Sequence, residues 1–141
     1  MLDFIKEVRV LLVADATLAS YVGDRIYLAS KPIKPRDVSI PWLPQITMRM
    51  DDGSSDAQFG VCYPTFYIDI WCSRYCGFTC ASQIGKRIVE LLNGQHLTSG
   101  ELEVYRIQKN ASMIIYEDES MLWHRTINFD VVCQDYTEPQ G

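Results

Sequence analysis

The sequence lacks an apolar run long enough to cross a membrane. A spanning helix needs about 20 predominantly apolar residues, and polar or charged side chains interrupt every apolar stretch of this 141-residue chain sooner than that. The first residues also depart from a signal peptide, because Asp3 and Glu7 break the apolar positions. We therefore expect no membrane segment, and we expect the chain to stay in the cytoplasm where it is made.

The chain also lacks an excess of positive charge. It has 13 Lys and Arg against 18 Asp and Glu, a net charge of −5, whereas a nucleic-acid binder usually carries a basic patch. An acidic surface repels phosphates, so this charge argues against tight DNA binding but allows a surface past which DNA slides. The five cysteines are an odd number, which is atypical of a small secreted disulfide-bonded domain.

Catalytic motifs are missing as well. The sequence has no glycine-rich phosphate loop, no dinucleotide-binding fingerprint and no Gly-x-Ser-x-Gly elbow. Its only histidines are His96 and His124, and Asp130 lies about 20 Å from His124 along an extended strand, too far for a hydrogen-bonded pair. Glu117 and Glu119 belong to an acidic turn, which is usually solvated. We expect no enzymatic activity and no cofactor.

Three cysteines are spaced by four residues, at Cys72, Cys76 and Cys80. A continuous helix would align their thiols, but zinc sites usually present paired ligands at shorter spacing. We expect Ser73 to separate a strand from a helix here, so that Cys72 leaves the helical line. The cysteines are then small apolar residues that fill local packing, and we expect no metal site.

The hydrophobic pattern predicts an α+β fold with two or three helices packed on one face of an antiparallel sheet. Asp15 is a candidate cap of the second helix, and Gly23 ends that helix. Ser73 is a candidate cap of the third helix, and Asn93-Gly94 ends it. Strands are predicted from residue 26, over 45–50 and 65–72, and in a final meander over 102–108, 113–116 and 122–133. We expect a single domain over residues 1–135 and a flexible tail over 136–141.

Residues 30–44 hold four prolines, with Lys31, Lys34 and Arg36 between them. Proline favours an extended segment that makes few backbone hydrogen bonds, and loops of this length are often functional. Two interpretations stay open: the segment wraps over its own sheet, or it is an arm on a neighbouring subunit. Residues 51–57 are predicted to form a polar, flexible loop, and their acidic side chains would complement the basic segment in a head-to-tail contact.

One face of the predicted sheet is unusually aromatic. Strand alternation places Tyr67, Trp71, Tyr105 and Ile107 together, opposite the face that we expect the helices to cover. An apolar face of this kind needs a cover. The cover is either the proline-rich segment of the same chain or a second subunit, since Tyr, Trp and Arg are favoured anchors at protein interfaces.

Four parts follow one another in a recognisable order. An N-terminal helix leads to the turn Val22-Gly-Asp-Arg-Ile-Tyr27; a proline-rich passage ends in Ile40-Pro-Trp-Leu-Pro44; a strand ends in Ile68-Asp-Ile-Trp-Cys-Ser73 before a helix; and a late strand contains His124. Together these parts, over residues 2–134, resemble the tail-completion, or tail-terminator, proteins of long-tailed bacteriophages.

The resemblance implies a structural role in the virion. Such proteins form a ring, usually of six subunits, on the last layer of tail-tube protein. The ring ends tube growth and offers a surface to the head connector, while DNA passes through its lumen without specific binding. No catalytic residues are implied. The alternatives are a head-completion protein on the portal side of the same neck and a small metal- or thiol-dependent enzyme.

The resemblance also suggests contact surfaces by position. We expect ring contacts at residues of the proline-rich segment and at exposed aromatics, namely Lys31, Lys34, Arg36, Trp42, Tyr67 and Trp71. We expect contacts to the tube or the connector at Asp51, Asp52, Asp56 and Phe59.

Overall fold

Six strands form one sheet in the order β1-β2-β3-β6-β5-β4. The computed structural model describes residues 2–37, 39–56, 60–75, 77–100 and 102–135, so the predicted flexible tail over 136–141 lies outside the described residues. The helices are α1 (Leu2–Val13), α2 (Ala16–Val22) and α3 (Gly77–Leu92). The strands are β1 (Ile26–Leu28), β2 (Gln45–Asp56), β3 (Val61–Ser73), β4 (Leu97–Ser99), β5 (Leu102–Glu117) and β6 (Leu122–Asp135). The predicted α+β class is confirmed.

The sheet is mixed rather than fully antiparallel. β1 runs parallel to β2, with Ile26 opposite Ile46, while the pairs β2–β3, β3–β6, β6–β5 and β5–β4 are antiparallel. Parallel neighbours need a long connection that returns the chain to the same end of the sheet. The proline-rich segment is that connection, which the sequence pattern alone did not reveal.

The core lies between the helices and one face of the sheet. Phe4 of α1 packs edge-on against Phe66 of β3, with ring centroids 5.0 Å apart, and Phe66 in turn contacts Phe129 of β6. The apolar stripe of α3 faces the same core: Ala81, Ile84, Ile88 and Leu92 are fully buried. α3 is the longest helix at 16 residues, and no helix in the described part of the chain could span a bilayer.

Asp15 links the second helix to the third. It caps α2 by accepting a hydrogen bond from the Leu18 amide at 3.0 Å, and Arg87 of α3 donates to its two carboxylate oxygens at 2.7 and 3.1 Å. The hydrogen bond from Arg87 is the largest cause that holds the pKa of Asp15 below its ordinary value. The prediction that Asp15 caps this helix and that Gly23 follows it, at φ 58°, is confirmed.

The prediction of a flexible loop at residues 51–57 is wrong for the residues that the structure describes. Residues 51–56 continue β2 and pair with β3, after a register shift between Asp51 and Ser54. Gly53 allows this bulge, because its φ of 65° suits glycine and a Cβ there would collide with the carbonyl of Tyr63. The polar composition of these residues suggested a loop. They form a strand because β3 supplies the hydrogen-bond partners of their backbone.

Two other boundaries differ from the prediction. The stretch Lys109-Asn110, expected to be a turn, is a bulge inside the single long strand β5, whose register against β6 shifts between Lys109 and Ala111. Ser73 is the last residue of β3 and does not directly precede the third helix, because α3 begins only at Gly77. Cys72 is buried at the end of β3 and Cys80 lies in α3, so these two do not share a helix, as predicted. Cys76 lies outside the described residues.

Candidate functional site

The face of the sheet opposite the helices, here called the outer face, carries a cluster of polar and aromatic side chains. Thr47, Asp69 and Thr126 are direct neighbours on β2, β3 and β6, and Trp71 is opposite His124 one pleat further along. Because alternate residues of a strand share a face, all five side chains project from the outer face. The cluster therefore follows from strand register.

Asp69 is the centre of this cluster. Its side chain is 1% exposed, and its Oδ1 accepts hydrogen bonds from Thr126 and His124, both at 2.8 Å. Its Oδ2 accepts from Nε of Arg49 at 3.1 Å. Burial alone would raise the pKa of Asp69, but these donors outweigh burial, so the pKa lies below its ordinary value. The buried carboxylate is charged and satisfied by its own chain.

His124 lies between two carboxylates. Its Nε2 is 2.8 Å from Asp69 and its Nδ1 is 2.9 Å from Glu117 at the end of β5. Burial acts to lower the pKa of His124, but the hydrogen bonds to Asp69 and Glu117 prevail and raise it. An imidazole donates from both nitrogens only when it is protonated, so this arrangement favours the imidazolium form.

The aromatic side chains of the outer face are largely covered. Trp71 is only 5% exposed; its ring stacks on His124, and its Nε1 donates to Thr47 at 2.9 Å. The expectation that Trp71 is an exposed aromatic is therefore wrong. Tyr67 is half-buried, with the guanidinium of Arg49 4.2 Å from its ring centroid.

A bulge changes the other half of the predicted aromatic face. The register of β5 against β6 shifts between Val104 and Arg106, which moves Ile107 to the helix side, where it is fully buried in the core. Tyr105 instead hydrogen-bonds to Gln134 at 2.7 Å. Ile107 was thus placed on the wrong face, because an extra residue inverts strand alternation beyond it.

Gln45 attaches the proline-rich segment to its own sheet. The Gln45 side chain is fully buried; its amide nitrogen donates to the carbonyls of Ile33 and Trp42 at 2.9 Å, and its oxygen accepts from the Ile33 amide at 2.8 Å. Arg25 donates to the Pro44 carbonyl at 2.9 Å. Of the two interpretations of this segment, these contacts support the one in which it packs on its own chain.

A cleft of about 990 Å³ lies between this segment, the outer face and the turn after β5. Lys31, Lys34 and Trp42 line one wall, Asp118 and Glu119 line the opposite wall, and Trp71 and His124 contribute from the sheet. Lys34 lies 5.8 Å from the ring centroid of Trp42. The cleft is therefore lined by two lysines of the proline-rich segment and by two acidic residues of the turn after β5.

The cluster offers little to acid–base chemistry. The hydrogen bonds of Asp69 and His124 go to their own chain, and no buried side-chain nitrogen or oxygen of the described residues is left without a partner. Nowhere in the described ranges do three or more His, Cys, Asp or Glu residues converge as metal ligands would. A general base needs a lone pair directed at a reacting group, whereas the carboxylate oxygens of Asp69 accept hydrogen bonds from Arg49, His124 and Thr126.

The predicted contact residues separate into two groups. The structure brings Lys31, Lys34 and Trp42 together at the cleft, whereas Arg36 is exposed further along the same segment. Asp51 is exposed on β2. The side chains of Asp52 and Asp56, and all of Phe59, lie outside what the structure describes. Their predicted contacts stay predictions.

Asp69 and Gln45 are two of the site residues that were missed from the sequence. Asp69 carried a signal, because a carboxylate between Ile68 and Ile70 interrupts the apolar end of a central strand. Gln45 carried none, since a glutamine at a strand start reads as an ordinary exposed residue. Only the path of the proline-rich segment explains its burial.

No protein-family model matches this sequence, and no curated protein matches it either. Among solved structures, the chain is similar to one in the virion of a native gene transfer agent (GTA) particle, with a TM-score of 0.72 and 20% sequence identity. The likeness covers 90% of this chain and 91% of that chain. At this level of identity, the comparison establishes a shared fold over nearly the whole length of both chains.

Proposed function

We propose that this chain is a structural virion protein of a long-tailed phage or a phage-like particle. In this proposal its copies form a ring, of six subunits, that caps the tail tube, ends tube polymerisation and joins the tube to the head connector. The observation that carries the proposal is the likeness in fold, across 90% of this chain, to a chain of the gene transfer agent virion. The order of sequence parts, which resembles tail-terminator proteins, points to the same role independently of that likeness.

The outer-face cluster supports a structural rather than an enzymatic role. His124 is held by hydrogen bonds to Asp69 and Glu117, and Asp69 accepts from three donors. A catalytic triad instead requires a nucleophile within hydrogen-bond reach of its base. The cluster joins β2, β3, β6 and the end of β5, which suits a subunit that must keep its shape under load in a particle.

Charge favours the proposed path of DNA. With a net charge of −5 the chain has no excess of cationic groups to neutralise phosphates, and DNA affinity grows with the number of phosphates neutralised. A ring of such subunits would let DNA pass without holding it. For subunit contacts we retain Lys31, Lys34, Arg36 and Trp42, together with Tyr67, whereas buried Trp71 acts by supporting the cleft.

Electron microscopy of the purified protein, alone and mixed with tail tubes, tests the proposal. We expect rings, and we expect those rings at one end of each tube. A matched mixture with purified head connector, without tube, separates the two neck positions: binding to the connector alone would support a head-completion protein instead. A chain that stays monomeric and never caps a tube would overturn the proposal.

A further inference from the structure

The sheet has an uncovered edge on β5. β4 pairs only with Leu102–Val104 of that strand. The end of α3 covers the next part, because the Gly94 amide donates to the Ile107 carbonyl at 2.8 Å and Asn93 accepts from the Lys109 amide at 2.8 Å. Over residues 111–117, no strand within the described ranges pairs with the outer edge of β5.

This uncovered edge also lacks the usual protection. Residues 111–116 read Ala-Ser-Met-Ile-Ile-Tyr, without a charge or a proline, and Met113 is 62% exposed while Ile115 is partly exposed. Exposed edge strands are normally protected by charged residues, proline or a covering segment. This uncharged stretch of six residues is therefore expected to be covered in the working form of the protein.

A second uncovered edge exists on the opposite side of the sheet. β1 pairs with Ile46–Met48 of β2, and the Ala29 amide donates to the Met48 carbonyl at 3.2 Å. From Arg49 to Asp56, the described part of the chain gives β2 no outer partner. The two uncovered segments, 49–56 and 111–117, have nearly equal length.

We infer that residues 111–117 of β5 pair antiparallel with residues 49–56 of β2 in a second copy of this chain. This inference rests on the proposed ring, because it gives that ring its subunit contact. Between β2 and β5 the sheet has three successive antiparallel pairs, so the two edge strands run in opposite directions. A copy placed beside the first with its strands in the same direction therefore offers β2 to β5 in the antiparallel sense. Because Arg49 lies in the same cross-strand row as Ala111, pairing the two uncovered segments displaces the second copy by six residues along the strands.

The side chains along the two segments are complementary. When the uncovered segments are aligned over their whole length, Arg49 of one copy lies opposite Glu117 of the other, and Asp51 lies opposite Ile115. Arg49 and Glu117 both project from the outer face and keep part of their surface exposed. Opposite charges directly across a strand pair stabilise it, whereas like charges oppose it.

The contact is heterologous, since β2 of one copy meets β5 of the next. After one such contact, each copy still has its other edge available. Further copies therefore add until the assembly closes into a ring. Pairing of β5 with β5 would instead put Ile114 opposite itself and end at a dimer. The opposite charges of Arg49 and Glu117 favour the heterologous contact, which also uses both uncovered edges.

The first experiment measures the mass of the assembled protein by native mass spectrometry and light scattering. In the variant Met113→Glu/Ile115→Glu, the carboxylate at position 115 lies opposite Asp51 of the other copy, and like charges across a strand pair oppose it, so we expect association to weaken about tenfold or more. Val10→Glu is the control for an added exposed carboxylate, because Val10 is 64% exposed on α1, away from both edges. Far-UV circular dichroism should show the same spectrum for both variants. Unchanged multimers in Met113→Glu/Ile115→Glu, or a wild-type chain that never associates, would overturn the inference.

The second experiment fixes the partner strand. We expect Asp51→Cys and Ile115→Cys, mixed and oxidised, to form a disulfide between copies that peptide mapping distinguishes from the native cysteines. An Ile114→Cys variant that links to itself would overturn the heterologous contact. Rings that carry the 51–115 link but never cap a tube would support the edge pairing and overturn the proposed function. Tube capping that survives in Met113→Glu/Ile115→Glu would support the proposed function and overturn the edge pairing.

Discussion

The indole ring of Trp71 lies flat on the imidazole of His124, with ring centroids 3.8 Å apart and 11° between the planes. The neighbouring carboxylates favour a protonated imidazole, so the stack places a cation on an aromatic face, which is a favourable contact. The same stack covers the ring of Trp71 and forms the floor of the cleft. The pairing of Trp71 with His124 across β3 and β6 therefore has two effects. It places the charged imidazole on the outer face, and it shapes the cleft that a partner would contact.

The charge on His124 predicts a pH dependence of stability. Its folded pKa is raised above that of the unfolded chain, so its contribution is fully present below about pH 6.5, the unfolded value, and is lost as the pH rises through the folded pKa. We expect the melting temperature to fall over that interval in the wild type. Thermal unfolding from pH 5.5 to 8.5 measures the slope. His124→Gln should remove it, and His96→Gln, at an exposed position, should keep it.

Asp69→Ala should be among the most damaging substitutions on the outer face. The change leaves Arg49, His124 and Thr126 without their common acceptor. Arg49 is partly solvated and His124 keeps Glu117, so the cost is that of buried polar groups without a partner, about 1–3 kcal/mol. Urea unfolding at pH 7 measures the change. Asp130→Asn, at an exposed position on β6, is the matched control and should change the free energy of unfolding by less than about 0.5 kcal/mol. Equal effects of the two variants would contradict the central role of Asp69.

Gln45→Ala should loosen the proline-rich segment. The substitution removes the partners of the Ile33 amide and of the Ile33 and Trp42 carbonyls, and a buried polar group without a partner costs about 1–3 kcal/mol. We expect faster trypsin cleavage at Lys31 and Lys34, with the sheet intact. Gln108→Ala, exposed on β5, serves as the control. An unchanged cleavage rate would mean that other contacts hold the segment.

The sequence predicted elements better than connections. The apolar stripes of α1 and α3 and the alternation in β3 and β6 were readable because burial on one face imposes a fixed period. The course of β2 past Asp51 was not readable, since its polar residues gain their backbone partners from β3, which no local pattern shows. The site could be predicted from the sequence only in part. Lys31, Lys34 and Trp42 were selected by position, whereas the burial of Gln45 and Trp71 depends on where residues 30–44 cross the sheet.

Gly77→Ala tests how closely α3 packs on the sheet. Gly77 is the first residue of α3, where alanine gains little of its advantage in a helix interior, and a Cβ at Gly77 would overlap the indole ring of Trp123. Overpacking typically costs about 1–3 kcal/mol, so we expect a net loss of stability in urea unfolding. Thr79→Ala, exposed in the first turns of the same helix, should be neutral or slightly stabilising. If Gly77→Ala were stabilising, Trp123 would have room to move.

The two lysines of the cleft test the proposed subunit contacts. In Lys31→Glu/Lys34→Glu the basic wall becomes acidic and faces Asp118 and Glu119 on the opposite wall. A partner segment bound through its own acidic groups would then be repelled, and the contact of Lys34 with Trp42 would be lost. We expect the monomer to keep its melting temperature within a few degrees, because both lysines are exposed and exposed charges contribute little to stability.

The assembled state should respond differently in this variant. We expect fewer rings by electron microscopy and less tube capping, with the loss reduced at low pH, where the introduced glutamates become neutral. Lys6→Glu/Lys86→Glu, at exposed helical positions, makes the same change in net charge and should assemble as the wild type does. That control separates a local contact from a general effect of added negative charge. Rings that form equally well in both variants would remove Lys31 and Lys34 from the subunit contact and leave assembly to the strand edges.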